Sequence, residues 1–292
     1  MKPQFLYGTA WKKTSTKQCV LDALKAGYRG IDTANQLKHY DEKQVGLALF
    51  ESYQAMPIKR EDLFLQTKYT FQHGQGDVLP YDPNASIKTQ VEQSFAKSLV
   101  HLQTSSLDSF LLHGPMTQQG LIDEDYEAWE AIQDLASKGL VKEIGVSNMN
   151  LGQLKEIYQL GTIKPRYIQN RCFAQMKWDS EVRKFCADHD MIYQGFSLLT
   201  ANLKYLGGEF REVASVQIPK AFFEKSRALN LLQEKYQKTI QQLIFRFALD
   251  CSMLPLTGTW DFEHMKMNLE IQDFTLSAED FKLIENIASQ NL

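Results

Sequence analysis

Short apolar runs alternate with longer amphipathic stretches along the whole of a 292-residue chain, and this alternation constrains the fold more than any other feature. The short runs are Phe5–Thr9, Gly30–Thr33, Leu63–Lys68, Leu107–His113, Val141–Ser147, Arg166–Asn170, Met191–Ser197 and Ser252–Leu256. Each is brief and bounded by polar or turn residues, as a buried parallel strand should be. Between them, apolar residues recur at helical spacing over Thr16–Ala26, Ser86–Leu102, Asp125–Ser137, Met149–Gln159, Ser226–Tyr236 and Thr239–Leu249. Lys138-Gly139 stops one such helix just before the run at Val141. No linker rich in Gly, Pro or Ser divides the chain. Strands alternating with helices in one undivided chain predict an α/β fold: a closed (β/α)8 TIM barrel, one domain spanning 1–292. A doubly wound open sheet is the alternative. To bind a dinucleotide it would need a G-x-G-x-x-G turn after its first strand, and none occurs.

Charge and cysteine content narrow the function. The formal net charge is −3 with no long run of Lys or Arg, which argues against nucleic acid as a partner. No apolar run approaches the ~20 residues of a membrane span. Met1-Lys2-Pro3-Gln4 leads into only a short apolar stretch, unlike a secretory signal. Cys19, Cys172, Cys186 and Cys251 are far apart and form no C-x-x-C pair, so zinc and redox dithiol chemistry are not expected. The expectation is a cytoplasmic protein with reduced thiols, acting as a monomer on a small molecule.

Polar residues punctuate the C-terminal ends of the expected strands: Gly8-Thr9, Asp32-Thr33, Lys68, His113, Ser147-Asn148, Gln169-Asn170, Ser197 and Gly258-Thr259. In a barrel those ends share one mouth, where active sites are built. Asp32, Lys68 and His113 are therefore expected to converge. A carboxylate and an ammonium in such a mouth would pair, since either charge alone is costly to bury. An ammonium beside a tyrosine favours the phenolate and is expected to lower the phenol pKa. A histidine can hydrogen-bond a carbonyl oxygen. Such a set suits carbonyl reduction, and the hydride must come from a cofactor because no side chain supplies one.

Five segments carry a family resemblance. Gly27-Tyr28-Arg29-Gly30-Ile31-Asp32-Thr33-Ala34 resembles the G-Y-R-x-I-D-T-A strand of the aldo-keto reductases, and Val45-Gly46-Leu47-Ala48-Leu49 the V-G-x-A-L after it. Leu63-Phe64-Leu65-Gln66-Thr67-Lys68 is similar to the family's third strand with its lysine. Asp108 to Pro115 resembles D-x-x-x-x-H-x-P, and Gly139 to Asn148 resembles G-x-(V/I)-(R/K)-x-I-G-V-S-N. The resemblance implies an NADPH-dependent oxidoreductase acting on an aldehyde, ketone or sugar. It implies an Asp32–Lys68 ion pair, His113 orienting the carbonyl and a tyrosine donating the proton. Ser147, Asn148 and Gln169 would hold the nicotinamide carboxamide, with Phe196 stacked on the ring. Ser197 and Leu199 would line the pyrophosphate, and Gly8 and Thr9 belong to the same cofactor mouth. Gly258 and Thr259 would lie near the adenosine ribose and its phosphate, with His264 and Asn268 beyond.

The match departs from the family pattern in three places. The family places its tyrosine five residues after the aspartate, where Leu37 stands here; Tyr40, eight after Asp32, is taken as the acid, with His39 and Tyr69 as rivals. The cationic clamp on the cofactor's 2′-phosphate has Gly258 for its lysine and His264 for its arginine, which leaves NADH open beside NADPH. Arg227 and Lys266 are the replacement cations considered. After the last helix, near Ser277–Ser289, only a short tail remains, and two long segments, Tyr69–Ala85 and Leu198–Glu224, are expected to set specificity. Their aromatic residues include Phe71, Tyr81, Tyr205, Phe210, Phe222 and Phe223. Taken singly, most of these residues have bland readings: Asp32 as a cap, Lys68 as a solvated strand end, Ser147-Asn148 as a helix start, Asp41 and Glu42 as helix-start charges, and Trp11 as rim packing. Two other functions compete with the reductase: a cofactor-binding partner protein with little turnover, and a metal-dependent barrel hydrolase. The second needs ligand clusters that the strand ends do not supply.

Overall fold

The computed structural model describes residues 3–199 and 226–287. Eight parallel strands close into a barrel in chain order. They are β1 (Leu6–Gly8), β2 (Gly30–Asp32), β3 (Phe64–Tyr69), β4 (Leu107–Leu112), β5 (Val141–Ser147), β6 (Tyr167–Arg171), β7 (Ile192–Phe196) and β8 (Leu254–Thr257). β1 pairs with both β2 and β8, which closes the ring. The expected (β/α)8 barrel is the fold observed, and every expected strand is present within a few residues of its anticipated bounds.

The helices surround this barrel: α1 (Thr16–Ala26), α2 (Glu42–Ala55), α3 (Ile87–Leu102), α4 (Asp123–Ser137), α5 (Leu151–Leu160), α6 (Ser180–Asp188), α7 (Arg227–Tyr236), α8 (Ile240–Asp250), α9 (Phe262–Leu269) and α10 (Ala278–Glu285). Local chemistry fixes their ends. Ser86 accepts a hydrogen bond from the Thr89 amide at the start of α3, and Thr239 forms a capping box with Gln242 at the start of α8. Gly27 ends α1 at φ 115°, a left-handed conformation that favours glycine. Periodicity does not announce α2, α6 or α9. In α2, Leu47 and Phe50 are exposed, so its apolar residues form no single stripe. α2 instead packs closely on α3 at Gly46, where a Cβ would lie 2.0 Å from the His101 carbonyl oxygen. α6 buries only Val182 and Cys186.

Apolar packing separates into two layers. The larger lies between strands and helices, with Val20, Leu24, Val91, Trp129, Ile157 and Phe247 in it. The smaller fills the barrel interior with Leu6, Phe64, Leu111, Tyr167, Ile192 and Leu254. The strand period of two then stacks the polar layers on this floor. Phe64 is followed by Gln66 and Lys68 on β3, Tyr167 by Gln169 and Arg171 on β6, and Ile192 by Gln194 and Phe196 on β7. These three strands thus climb from an apolar floor through a glutamine layer to the mouth. No helix among the described residues is long and apolar enough to cross a membrane. Tyr205, Phe210, Phe222 and Phe223 lie outside the described residues, as does the end of the expected Ser277–Ser289 helix.

Candidate active site

Asp32, Lys68 and His113 lie at the C-terminal ends of β2, β3 and β4 and share the mouth. Lys68 Nζ donates to Asp32 Oδ1 at 2.6 Å and to the Thr33 carbonyl at 2.8 Å, with both side chains buried. The same Asp32 oxygen accepts from Gln66 Nε2 at 2.7 Å and Gln169 Nε2 at 3.0 Å. Gln194 ties the two glutamines together, its Oε1 accepting from Gln66 at 2.8 Å and Gln169 at 2.9 Å. This glutamine layer holds the carboxylate in place from below. Burial pulls the Lys68 ammonium below its ordinary range, and Asp32 beside it opposes that shift.

Tyr40 reaches this pair from the loop after β2. Its ring centre lies 5.5 Å from Lys68 Nζ and 5.8 Å from the His113 ring. The loop closes through Tyr40 and His39 amides that both donate to the Gln36 carbonyl, at 2.9 and 3.1 Å. This turn carries Tyr40 back over the mouth and leaves Leu37 exposed. The expectation that Lys68 lowers the phenol pKa is corrected. Burial pushes Tyr40 above the ordinary tyrosine value, and the Asp32 charge adds to the shift. The phenol is thus held protonated, the state a proton donor needs.

The rival side chains lie elsewhere. The Tyr69 hydroxyl donates to Gln90 of α3 at 3.2 Å, and its ring packs on Phe71 and Tyr81. His39 stacks on Trp11 with ring centres 3.8 Å apart at the rim. Asp41 caps α2. Glu42 is buried and accepts hydrogen bonds from Thr67 and Ser98, with His101 at 3.1 Å. It stands in the first turn of α2, as expected, and is a buried structural carboxylate behind β3.

Thr70, which the sequence does not single out, sits 2.6 Å from His113 Nδ1. If the hydroxyl donates, the imidazole proton lies on Nε2. Burial, then the Lys68 charge, pulls the His113 pKa well below the ordinary 6.5. The imidazole is neutral near pH 7. Its effect on stability has a definite sign. Below about pH 6.5 the unfolded chain takes up a proton that folded His113 refuses, so this contribution is present above that pH and is lost on acidification. Denaturation near neutrality and about two pH units below is expected to show a smaller acid loss in His113→Gln than in wild type, at up to roughly 1.4 kcal/mol per pH unit. Equal losses in the two proteins would contradict this.

Ser147, Asn148 and Gln169 also converge. The Asn148 amide donates to the Gln169 carbonyl at 3.0 Å, and the Ser147 hydroxyl donates to the same oxygen at 2.6 Å. Asn148 Nδ2 donates to the His113 carbonyl at 2.7 Å. The N-cap of α5 is Asn150, so Ser147 and Asn148 are not a plain helix start. The Gln169 amide nitrogen is committed to Asp32 and Gln194, while its Oε1 receives no hydrogen bond from the described residues. Phe196 is a half-buried ring ending β7, followed by Ser197 at φ 57° and partly exposed Leu199.

At the β1 and β8 ends, Thr9 is tied to the Asp32 carbonyl through both its amide and its hydroxyl. Gly8 pairs with Asp32 in register. The Thr259 carbonyl accepts from Tyr7 at 2.8 Å. Asn268 is buried against Thr257 at 3.4 Å, whereas His264 and Arg227 are exposed and Lys266 pairs with Glu263 at 2.7 Å. The cation found at this end is one the sequence reading passed over. Lys12 is buried, donates to the Gly258 carbonyl and lies 5.0 Å from the Trp260 ring centre. Among the described residues no carboxylate pairs with it. Burial lowers its pKa to about 8. A lysine three residues past a strand-end threonine was the available signal.

These residues fit a nicotinamide dinucleotide. An open acceptor at Gln169 suits a carboxamide, the Phe196 ring offers a stacking face, and Lys12 is a buried cation short of an anion. A (β/α)8 barrel with a buried ammonium–carboxylate pair, a neutral imidazole and a protonated phenol at its mouth belongs to the class of barrels built for proton-coupled carbonyl chemistry.

The comparisons agree with this class. Residues 5–289 match the model of the aldo/keto reductase family. An NADP-dependent D-sorbitol-6-phosphate dehydrogenase of Malus domestica is 29% identical, with 94% of this chain and 87% of that one covered. An aldo/keto reductase structure from Brucella melitensis superposes with TM-score 0.76 at 28% identity, covering 98% of this chain and 94% of that one. A Bombyx mori aldo-keto reductase, solved in complex with NADP, shares the fold at TM-score 0.76 and 24% identity, covering 97% and 88%. The chain belongs to the aldo/keto reductase family and is an NAD(P)H-dependent oxidoreductase of that class.

Proposed function

We propose that this chain reduces an aldehyde, ketone or sugar carbonyl with Tyr40 as proton donor, acting as a cytoplasmic monomer. The observation that carries this reading is the Tyr40 ring 5.5 Å from a fully buried Lys68 that is itself paired with Asp32 at 2.6 Å. When bound, the cofactor would supply hydride to the carbonyl carbon, and the C=O π pair would move onto oxygen. His113 donates a hydrogen bond to that oxygen and fixes the carbonyl's orientation. Tyr40 transfers its proton to the developing alkoxide, and the phenolate left behind is stabilised by the Lys68 ammonium. Asp32 keeps Lys68 charged in a buried position, and Gln66, Gln169 and Gln194 keep Asp32 in place. Ser147, Asn148 and Gln169 Oε1 would hold the carboxamide, and Phe196 would support the ring. Ser197, Leu199, Gly8, Thr9, Gly258, Thr259 and Asn268 line the rest of the cofactor groove. His264, exposed on α9, is assigned to the same groove.

Lys12 is assigned to a cofactor phosphate, in place of the cations that Gly258 and His264 lack. Its charge is lost above about pH 8. Fluorescence titration is therefore expected to show NADPH binding that weakens as the pH rises through about 8, and Lys12→Met is expected to bind weakly with that dependence gone. D-sorbitol 6-phosphate with NADP is the natural first substrate to try, beside simple aldehydes. If neither NADPH nor NADH quenches fluorescence at tens of micromolar, roughly the scale of a useful cofactor site, the reductase reading fails.

A further inference from the structure

Arg171 ends β6 at the mouth and is used by nothing described above. It follows Gln169 by two residues, so both side chains project from the same side of the strand. The register places it opposite Phe196 of β7. Its guanidinium carbon lies 5.3 Å from the Phe196 ring centre, and Nη1 donates to the Ser197 hydroxyl at 3.3 Å. Among the described residues no carboxylate pairs with it. Arg171 is exposed, and although desolvation at the strand end pulls its pKa below the ordinary arginine value, a guanidinium stays charged in proteins. Among the described residues its one side-chain hydrogen-bond partner is the Ser197 hydroxyl, which leaves the rest of the guanidinium fork open to an anion at the mouth.

We propose that Arg171 binds the diphosphate of the nicotinamide cofactor. The inference rests on the reading that the nicotinamide ring stacks on Phe196. A ring placed there carries its first phosphate one sugar away, within reach of a guanidinium already seated at the phenyl ring. Arginine suits the task because its planar fork meets phosphate oxygens with two parallel hydrogen bonds. The end of β8 presents Gly258 and an exposed His264 on α9, and the buried cation at that end is Lys12, which donates to the Gly258 carbonyl. The 2′-phosphate would sit at that end, on the adenosine side. The diphosphate is common to NADPH and NADH, whereas the 2′-phosphate is not, and this difference makes the assignment testable.

The experiment is a fluorescence titration of the full chain with NADPH and with NADH, for wild type, Arg171→Ala and Arg171→Lys. Arg171→Ala is expected to weaken both cofactors by a similar factor, roughly tenfold to a hundredfold, as loss of a charge-assisted pair does. Arg171→Lys keeps the charge without the fork and is expected to recover part of the loss. Added salt should weaken wild type more steeply than Arg171→Ala. Circular dichroism melts establish that the variants are folded, and Arg171→Lys still tests the proposal if the alanine variant is not. Unchanged affinity for both cofactors in both variants overturns the assignment. A loss confined to NADPH places the guanidinium on the 2′-phosphate and also overturns it. A raised substrate KM with unchanged cofactor affinity moves Arg171 to the substrate, which overturns it equally. Failure of wild type to bind either cofactor is a different result: it removes the nicotinamide reading beneath the proposal.

Discussion

Tyr40→Phe is expected to lower kcat by about 10²–10⁴-fold, the span that a positioned proton donor supplies, while NADPH affinity stays within about twofold of wild type. That loss is roughly 3–5 kcal/mol of transition-state stabilisation. The substitution removes one oxygen and keeps the ring, so the contacts at 5.5 Å to Lys68 and 5.8 Å to His113 survive. A fall in kcat without weaker cofactor binding therefore isolates proton transfer from packing. The control is Tyr69→Phe. Its hydroxyl bonds Gln90 on the helix side of β3, so turnover should hardly change. His39→Gln tests the other rival, whose ring is stacked on Trp11 at the rim. Full turnover by Tyr40→Phe would place the proton donor elsewhere and undo the proposed mechanism.

Lys68→Met has a second large effect, on both stability and catalysis. The variant leaves Asp32 buried without its counter-charge, a change that typically costs about 3–5 kcal/mol. Hydrogen bonds from Gln66 and Gln169 remain and place the cost toward the lower end. Turnover should fall by at least about 10³-fold, because the phenolate of Tyr40 loses its stabilising cation. Asp32→Asn strands the ammonium and should be similarly destabilising. The double variant Asp32→Asn/Lys68→Met removes both charges. It is expected to recover much of the stability in urea denaturation while remaining inactive. Strictly additive stability losses would mean that the two groups are not coupled in the folded protein. A double variant with wild-type turnover would remove the pair from the mechanism.

The sequence alone determined the barrel and the height of its chemistry. Brief apolar runs separated by amphipathic stretches leave few ways to bury both faces of every strand, and a closed parallel barrel is one that an undivided chain of this length can reach. Strand ends share one rim in such a barrel, so Asp32, Lys68 and His113 could be brought together from their order along the chain. Tertiary structure decided what surrounds them. Gln66, Gln169 and Gln194 meet only because the register of β2, β3, β6 and β7 sets them at one level, and register is a property of pairing across strands. Tyr40 returns over the mouth through a turn closed on the Gln36 carbonyl, a geometry that spacing along the chain does not specify. Its pKa direction reversed because desolvation at the mouth outweighs one neighbouring cation, and burial is known only after packing. Lys12, Thr70 and Arg171 escaped the sequence reading for the same reason. A lysine, a threonine and an arginine at loop or strand ends look solvated until the fold buries the first, sets the second on an imidazole and lays the third against a ring.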